Sequence, residues 1–237
     1  AANQTPYHSV NYDGNISGAF RRVASFSFAA FRRNINDSAI VNAIVLDPSF
    51  NPVALNAGVS TPQTLTNLSP RLDYQIGRNN TLTARYQYSR NVRNNVGVGG
   101  FALPLQADDA HTSEHLLQLI DSQILGERAV NEARFQYIHN ETGQTARNSA
   151  PSIRVTGAFT GGGSNRGVSL SDTSRYEFQD VTSLIQGPHL FKFGGRLRAS
   201  HVVNGSTANF NGMFTFPSIT TYKLTEQGLQ QGLTMAQ

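Results

Sequence analysis

The stretch Leu82-Thr83-Ala84-Arg85-Tyr86-Gln87-Tyr88-Ser89 decides the fold. Leu82, Ala84, Tyr86 and Tyr88 share one parity, while Thr83, Arg85, Gln87 and Ser89 share the other. A period of two is the signature of a strand, because successive side chains leave opposite faces of a sheet. The same dyad returns along the chain with Arg, Lys, Glu and Gln on the polar side. A soluble sandwich would turn the apolar side inward. A transmembrane barrel would turn it out to lipid and keep charge in the lumen.

Outward from this stretch, the dyads pair into hairpins. Residues 7–20 read as a strand, Arg21-Arg22 as a short turn, and Ala24, Phe26, Phe28 and Ala30 as the apolar side of its partner. Leu68, Leu72, Tyr74 and Ile76 precede the turn signal Gly77-Arg78-Asn79-Asn80, which leads into the Tyr86 strand. Residues 114–125 read as a strand of unclear parity, followed by a turn at Gly126-Glu127-Arg128 and by Ala133, Phe135 and Tyr137. Tyr176, Phe178, Thr182 and Leu184 precede a turn at Gln186-Gly187-Pro188-His189, and Phe191, Phe193, Leu197 and Ala199 follow it. Phe210, Phe214 and Phe216 suggest a final strand, and residues 218–232 a short helix. Between the hairpins lie three long connections, 37–62, 91–111 and 140–171. Within the first, residues 39–46 fit a short helix or an edge strand equally. Short turns alternating with long loops are what outer-membrane barrels show.

Composition narrows the field. The chain has 237 residues, a net charge of +4, 38% hydrophobic residues and no cysteine. Disulfides and thiolate metal sites are excluded. No run of 18 apolar residues exists, which excludes a transmembrane helix but not barrel strands. Basic residues are scattered, so no nucleic-acid partner is expected. Phe and Tyr supply the aromatics and Trp is absent, although lipid-facing barrels favour Trp in their interfacial girdles.

Four phrases carry a resemblance: Ser69-Pro70-Arg71-Leu72-Asp73-Tyr74, Asn80-Thr81-Leu82-Thr83-Ala84-Arg85-Tyr86, Asn131-Glu132-Ala133-Arg134-Phe135-Gln136-Tyr137 and Phe191-Lys192-Phe193-Gly194-Gly195. With Gly157-Ala158-Phe159-Thr160-Gly161-Gly162-Gly163, the chain resembles the barrel of Oar-like TonB-dependent outer-membrane receptors from about Tyr7 to about Thr225. The resemblance implies location in the bacterial outer membrane and contact with its lipid. It also implies a barrel of roughly twenty-two strands, a plug, and a TonB system reached through parts of the full-length protein outside this chain. About nine strands are legible here, and the last residues, Thr234-Met235-Ala236-Gln237, lack a terminal aromatic. The expectation is an all-β antiparallel meander, one barrel-type domain over 1–237, forming an internal fragment or partial barrel with its long loops at one end. The ligand is an unspecified small molecule, peptide or glycan.

Candidate sites are sparse. The polar parity carries Arg71, Asp73, Arg85, Glu132, Arg134, Glu177, Lys192, Arg196 and Arg198. In a barrel these residues face the lumen and pair across strands, holding the wall together or meeting a substrate. His111 and His115 are four apart, a metal-ligand spacing on a helix. On a strand the two are separated by about 13 Å, so they are weak metal candidates. Residues 161–165 lack the Lys-Ser/Thr of a phosphate loop, and no Gly-x-Ser-x-Gly is present. No cofactor and no catalytic residue is expected. The alternative from another class is a soluble sandwich or jelly roll that binds carbohydrate or carries a hydrolase or metal-oxidase site.

Overall fold

The computed structural model describes residues 6–20 and 22–233. The turn residue Arg21 and the terminal residues 234–237 lie outside them. Eight strands form one sheet: β1 (His8–Phe20), β2 (Ala24–Asn36), β5 (Gln63–Gln75), β6 (Asn80–Val96), β7 (Asp108–Ile124), β8 (Ala129–Ala146), β11 (Val168–Gln186) and β12 (His189–Ser206). They are neighbours in that order, each antiparallel to the next. The sheet is a meander, and the remaining strands are insertions into its connections.

Register explains why the Tyr86 dyad was so informative. Phe26 faces Leu72, Leu72 faces Ala84, and Tyr86 faces Leu117. Leu119 faces Phe135, Phe135 faces Phe178, and Phe193 faces Thr182. Directly opposed residues share a face, so the aromatic parities of all eight strands merge into one apolar surface. Leu117, on this face, and Leu116, on the other, both sit in β7, which is why that strand had no clear parity. One break falls at Pro70, which lacks an N–H. It pairs with Phe28 on β2, while the ladder to β6 is interrupted between Leu68 and Arg71.

The strands run further than the sequence suggested. β6, β7, β8, β11 and β12 are 17, 17, 18, 19 and 18 residues long, whereas roughly 9–11 suffice to cross a bilayer. Much of the second and third expected long loops is therefore strand: 91–96, 108–111, 140–146 and 168–171. The apolar alternation disappears there although the hydrogen-bonded ladder continues.

The connections themselves are ordered. β3 (Ser38–Leu46) and β4 (Pro52–Ser60) form a hairpin, so residues 39–46 are strand and not helix. β9 (Ser152–Val155), β10 (Phe159–Gly162) and β13 (Met213–Phe216) form a small sheet, with β13 parallel to β9. The expected final strand thus joins this cap and not the main sheet, and Phe210 lies outside it. A single 3₁₀ turn spans Pro104–Gln106, and α1 spans Ile219–Gln230. No helix among the described residues is long and apolar enough to cross a membrane.

The hydrophobic core lies in the cap, not on the main sheet. Val41, Ala43, Val155, Ala158 and Phe159 are buried together, with Leu103, Ile153, Phe216 and Tyr222 packed around them. Backbone bonds stitch the insertions together: Asn42 N–H to Gly100 O, Ile44 N–H to Ala158 O, and Thr156 N–H to Phe216 O. By contrast, large residues on the apolar face of the sheet stay open, such as Phe193 at 59% and Leu197 at 73% exposure. Among the described residues no second sheet covers that face, so the sandwich reading fails.

Candidate functional site

The polar face is the opposite side of the same sheet. Arg71 faces Arg85, Asp73 faces Thr83, Glu177 faces Arg198 and Lys192 faces Ser183. Arg85 faces Gln118, Gln118 faces Gln136, and Gln136 faces Glu177. Glu132 and Arg134 share the parity of Gln136, and Arg196 faces Gln179. The register therefore carries all nine candidate residues onto one face, opposite the aromatic one.

Seven of them form three ion-paired clusters. Arg71 makes a bidentate pair with Asp73, both bonds 2.8 Å, and Asp73 also accepts from Thr83 Oγ1 at 2.7 Å. This offsets the repulsion of Arg71 and Arg85, like charges placed directly opposite. Arg134 donates to Glu132 at 3.0 Å. Glu177 receives Arg198 at 2.5 Å and Arg196 at 3.4 Å. Lys192 and Arg85 have no carboxylate within ion-pair distance among the described residues. The nine residues hold six cations and three carboxylates, a surplus of three positive charges. Between Gln136, Arg175, Glu177 and Arg198 the sheet forms an open depression of about 460 Å³. Its lining adds Ile138, Tyr176, Ala199 and Ser200 to these polar groups.

The histidines lie on the other face. His111 and His115 share one side of β7 but are not brought together. His111 pairs with Glu141 at 2.8 Å, and His115 bonds Tyr86 Oη at 2.6 Å. A donor set missed in the sequence is His139, Glu141 and Asp172. His139 and Glu141 are two apart on β8, a same-face spacing visible in the sequence, but Asp172 joins them only through register.

The three long connections, and the segment that follows β12, leave the same end of the sheet, opposite the short turns. The cap they build contains two shifted groups. Asp47 is held below the usual carboxylate range, chiefly by the Asn51 backbone N–H, with further help from Ser49. Tyr222 is pushed up to about 12, first by burial and then by the charge and hydrogen bond of Glu226. Asp108 is fully buried at the base of the cap, bonded by Arg166 at 2.8 Å and Gln144 at 2.9 Å.

A family model described as "Outer membrane beta barrel domain" matches residues 4–236. The chain belongs to the outer membrane beta barrel domain family. This barrel domain is similar in structure to the outer membrane transporter YddB of Escherichia coli. That match has a TM-score of 0.65 at 10% identity, covering 83% of this chain and 26% of that one. A second solved structure, the siderophore receptor PiuA from Acinetobacter baumannii, matches with a TM-score of 0.42 at 10% identity, over 86% of this chain and 40% of that one. No curated protein sequence matches. The barrel domain thus spans about a quarter of the transporter it resembles. It is a protein of the outer membrane, with the all-β antiparallel meander of a partial barrel.

Proposed function

We propose that this barrel domain is a wall segment of a larger TonB-dependent, Oar-like transporter, with its charged face toward the lumen. The observation that carries this reading is the division of one sheet into an aromatic face and a face that bears all nine charged candidate residues. The outer edges of β1 and β12 support it too: neither pairs with another strand among the described residues. Exposed edges of that length would recruit other chains unless further strands completed the barrel. Lumenal Arg–Glu and Arg–Asp pairs would stiffen the wall. The surplus positive charge would concentrate anionic solutes beside it. The cap would form the outward-facing surface where a nutrient is first met, since recognition concentrates on connections held by a rigid scaffold.

Adjacent residues on β11 test the orientation. Phe178→Cys and Gln179→Cys, spin-labelled in the complete protein in vesicles, report lipid and water separately. We expect the label at 178 to be relaxed by oxygen and the label at 179 by a water-soluble nickel complex. The opposite pattern, or equal water access at both, refutes the lumenal assignment. TonB coupling is tested genetically. Deletion of this gene and loss of TonB should impair growth on the same nutrient. A deletion defect that TonB loss does not reproduce refutes the coupling.

A further inference from the structure

On the aromatic side of the sheet, just beyond Tyr137 and Tyr176, three strands converge polar groups. Tyr137 stacks on Tyr176 with centroids 4.9 Å apart, marking the end of the apolar band toward the cap. His139 and Glu141 follow on β8, and Asp172 of β11 is the direct cross-strand partner of Glu141. One donor atom from each of these three residues lies within 4.8 Å of the others, and all three side chains are half-buried. From β7, His111 Nε2 reaches Glu141 Oε1 at 2.8 Å. It can do so because residue 143, directly opposite, is glycine: a Cβ there would collide with the imidazole ring.

We propose that His139, Glu141 and Asp172 form a divalent transition-metal site of the zinc class, with His111 orienting Glu141 from outside. One imidazole and two carboxylates match zinc, whereas calcium and magnesium prefer oxygen alone. A tetrahedral ion with ligands at about 2.1 Å sets donor atoms roughly 3.4 Å apart. His139 Nδ1 and Asp172 Oδ1 are already 3.6 Å apart. Ser174 Oγ, 3.1 Å from His139 Nδ1, holds that ring nitrogen toward β11. The fourth position is left to water. Three ligands on two paired strands need no loop to close around the ion. The His111–Glu141 contact is the outer hydrogen bond that fixes a ligating carboxylate.

The complete protein carrying this chain, extracted in mild detergent and stripped with a chelator, provides the test. Zn²⁺ is titrated in competition with a chromophoric chelator, and Co²⁺ is added in parallel to read its visible d–d band. We expect one zinc per chain at the site and a cobalt band of tetrahedral intensity. His139→Gln and Asp172→Asn should each weaken zinc at least tenfold. His111→Gln should weaken it about tenfold or more, and His189→Gln should leave it unchanged. Heat-modifiable gel migration verifies that each variant folds. Should His139→Gln fail to fold, the near-isosteric Asp172→Asn and the wild-type cobalt spectrum still decide. Absence of saturable zinc and of a cobalt band overturns the proposal, as does zinc affinity unchanged in Asp172→Asn.

Discussion

Asp108 has no exposed surface, and its contacts with Arg166 and Gln144 are what make that burial tolerable. Removing one partner of a buried ion pair strands the other charge. Arg166→Met should destabilise the cap by about 2 kcal/mol, and adding Asp108→Asn should recover most of that loss. Amide exchange in β9 and β10 measures both. Tyr222 sets a second expectation. The ordinary tyrosine value is 10.0, and burial beside Glu226 raises it to about 12. Between those values the folded cap keeps a proton that the unfolded chain has lost. This contribution is complete below pH 10 and disappears as pH rises to about 12. Ultraviolet titration should show one late-ionising tyrosine, absent in Tyr222→Phe. None of this was legible in the sequence, since Asp108 falls within the expected long connection 91–111 and Tyr222 is one position in an expected short helix. Burial is set by what the chain packs against, and sequence pattern alone does not say that.

Among the elements, the cap insertions behave as a small globular unit riding on a membrane wall. Phe159 is buried and packs its ring against Tyr222 at 5.3 Å. Phe159→Ala should cost about 3–5 kcal/mol of cap stability while leaving the main sheet folded. Faster exchange confined to β3, β9, β10 and α1 is the expected outcome. Ser218 caps α1 by accepting from Thr221 N–H at 3.2 Å, so Ser218→Ala should cost about 1 kcal/mol and fray that helix. The helix and the main hairpins were legible because Pro217-Ser218 and the Gly-Asn turn residues act locally. The hairpin of β3 and β4 was not. Residues 38–46 contain Ala39-Ile40-Val41, an apolar run without alternation, which serves a helix or a strand equally until a partner strand is present. The strand extensions into the expected loops were hidden for a related reason. Asn91, Arg93, Asn94 and Asn95 are polar on both parities, and β6 even carries a bulge there, with Asn95 at φ +57°.

At the scale of the whole molecule, stability and placement come from different media. The cap is held by a buried core, whereas in the proposed orientation the sheet presents its aromatic face to lipid. Leu197 lies mid-strand on that face, opposite Phe178. Leu197→Arg should reduce folding free energy into vesicles by about 2–4 kcal/mol. Gln179→Arg, on the charged face, should have little effect. Heat-modifiable migration of the complete protein across a denaturant series reads both. Equal penalties for the two variants would mean the faces are not in different solvents.

The sequence by itself determined the period-two alternation, the short turns, and the division of residues into two parities. Those features are local, because side-chain direction in a strand depends only on position along the backbone. Two things needed the tertiary structure. One was that the parities of eight strands join into two continuous faces. The other was that His111, His139, Glu141 and Asp172 meet on one of them. Both depend on register between strands that are tens of residues apart in the chain, and a shift of a single residue would have sent every one of these side chains to the other face.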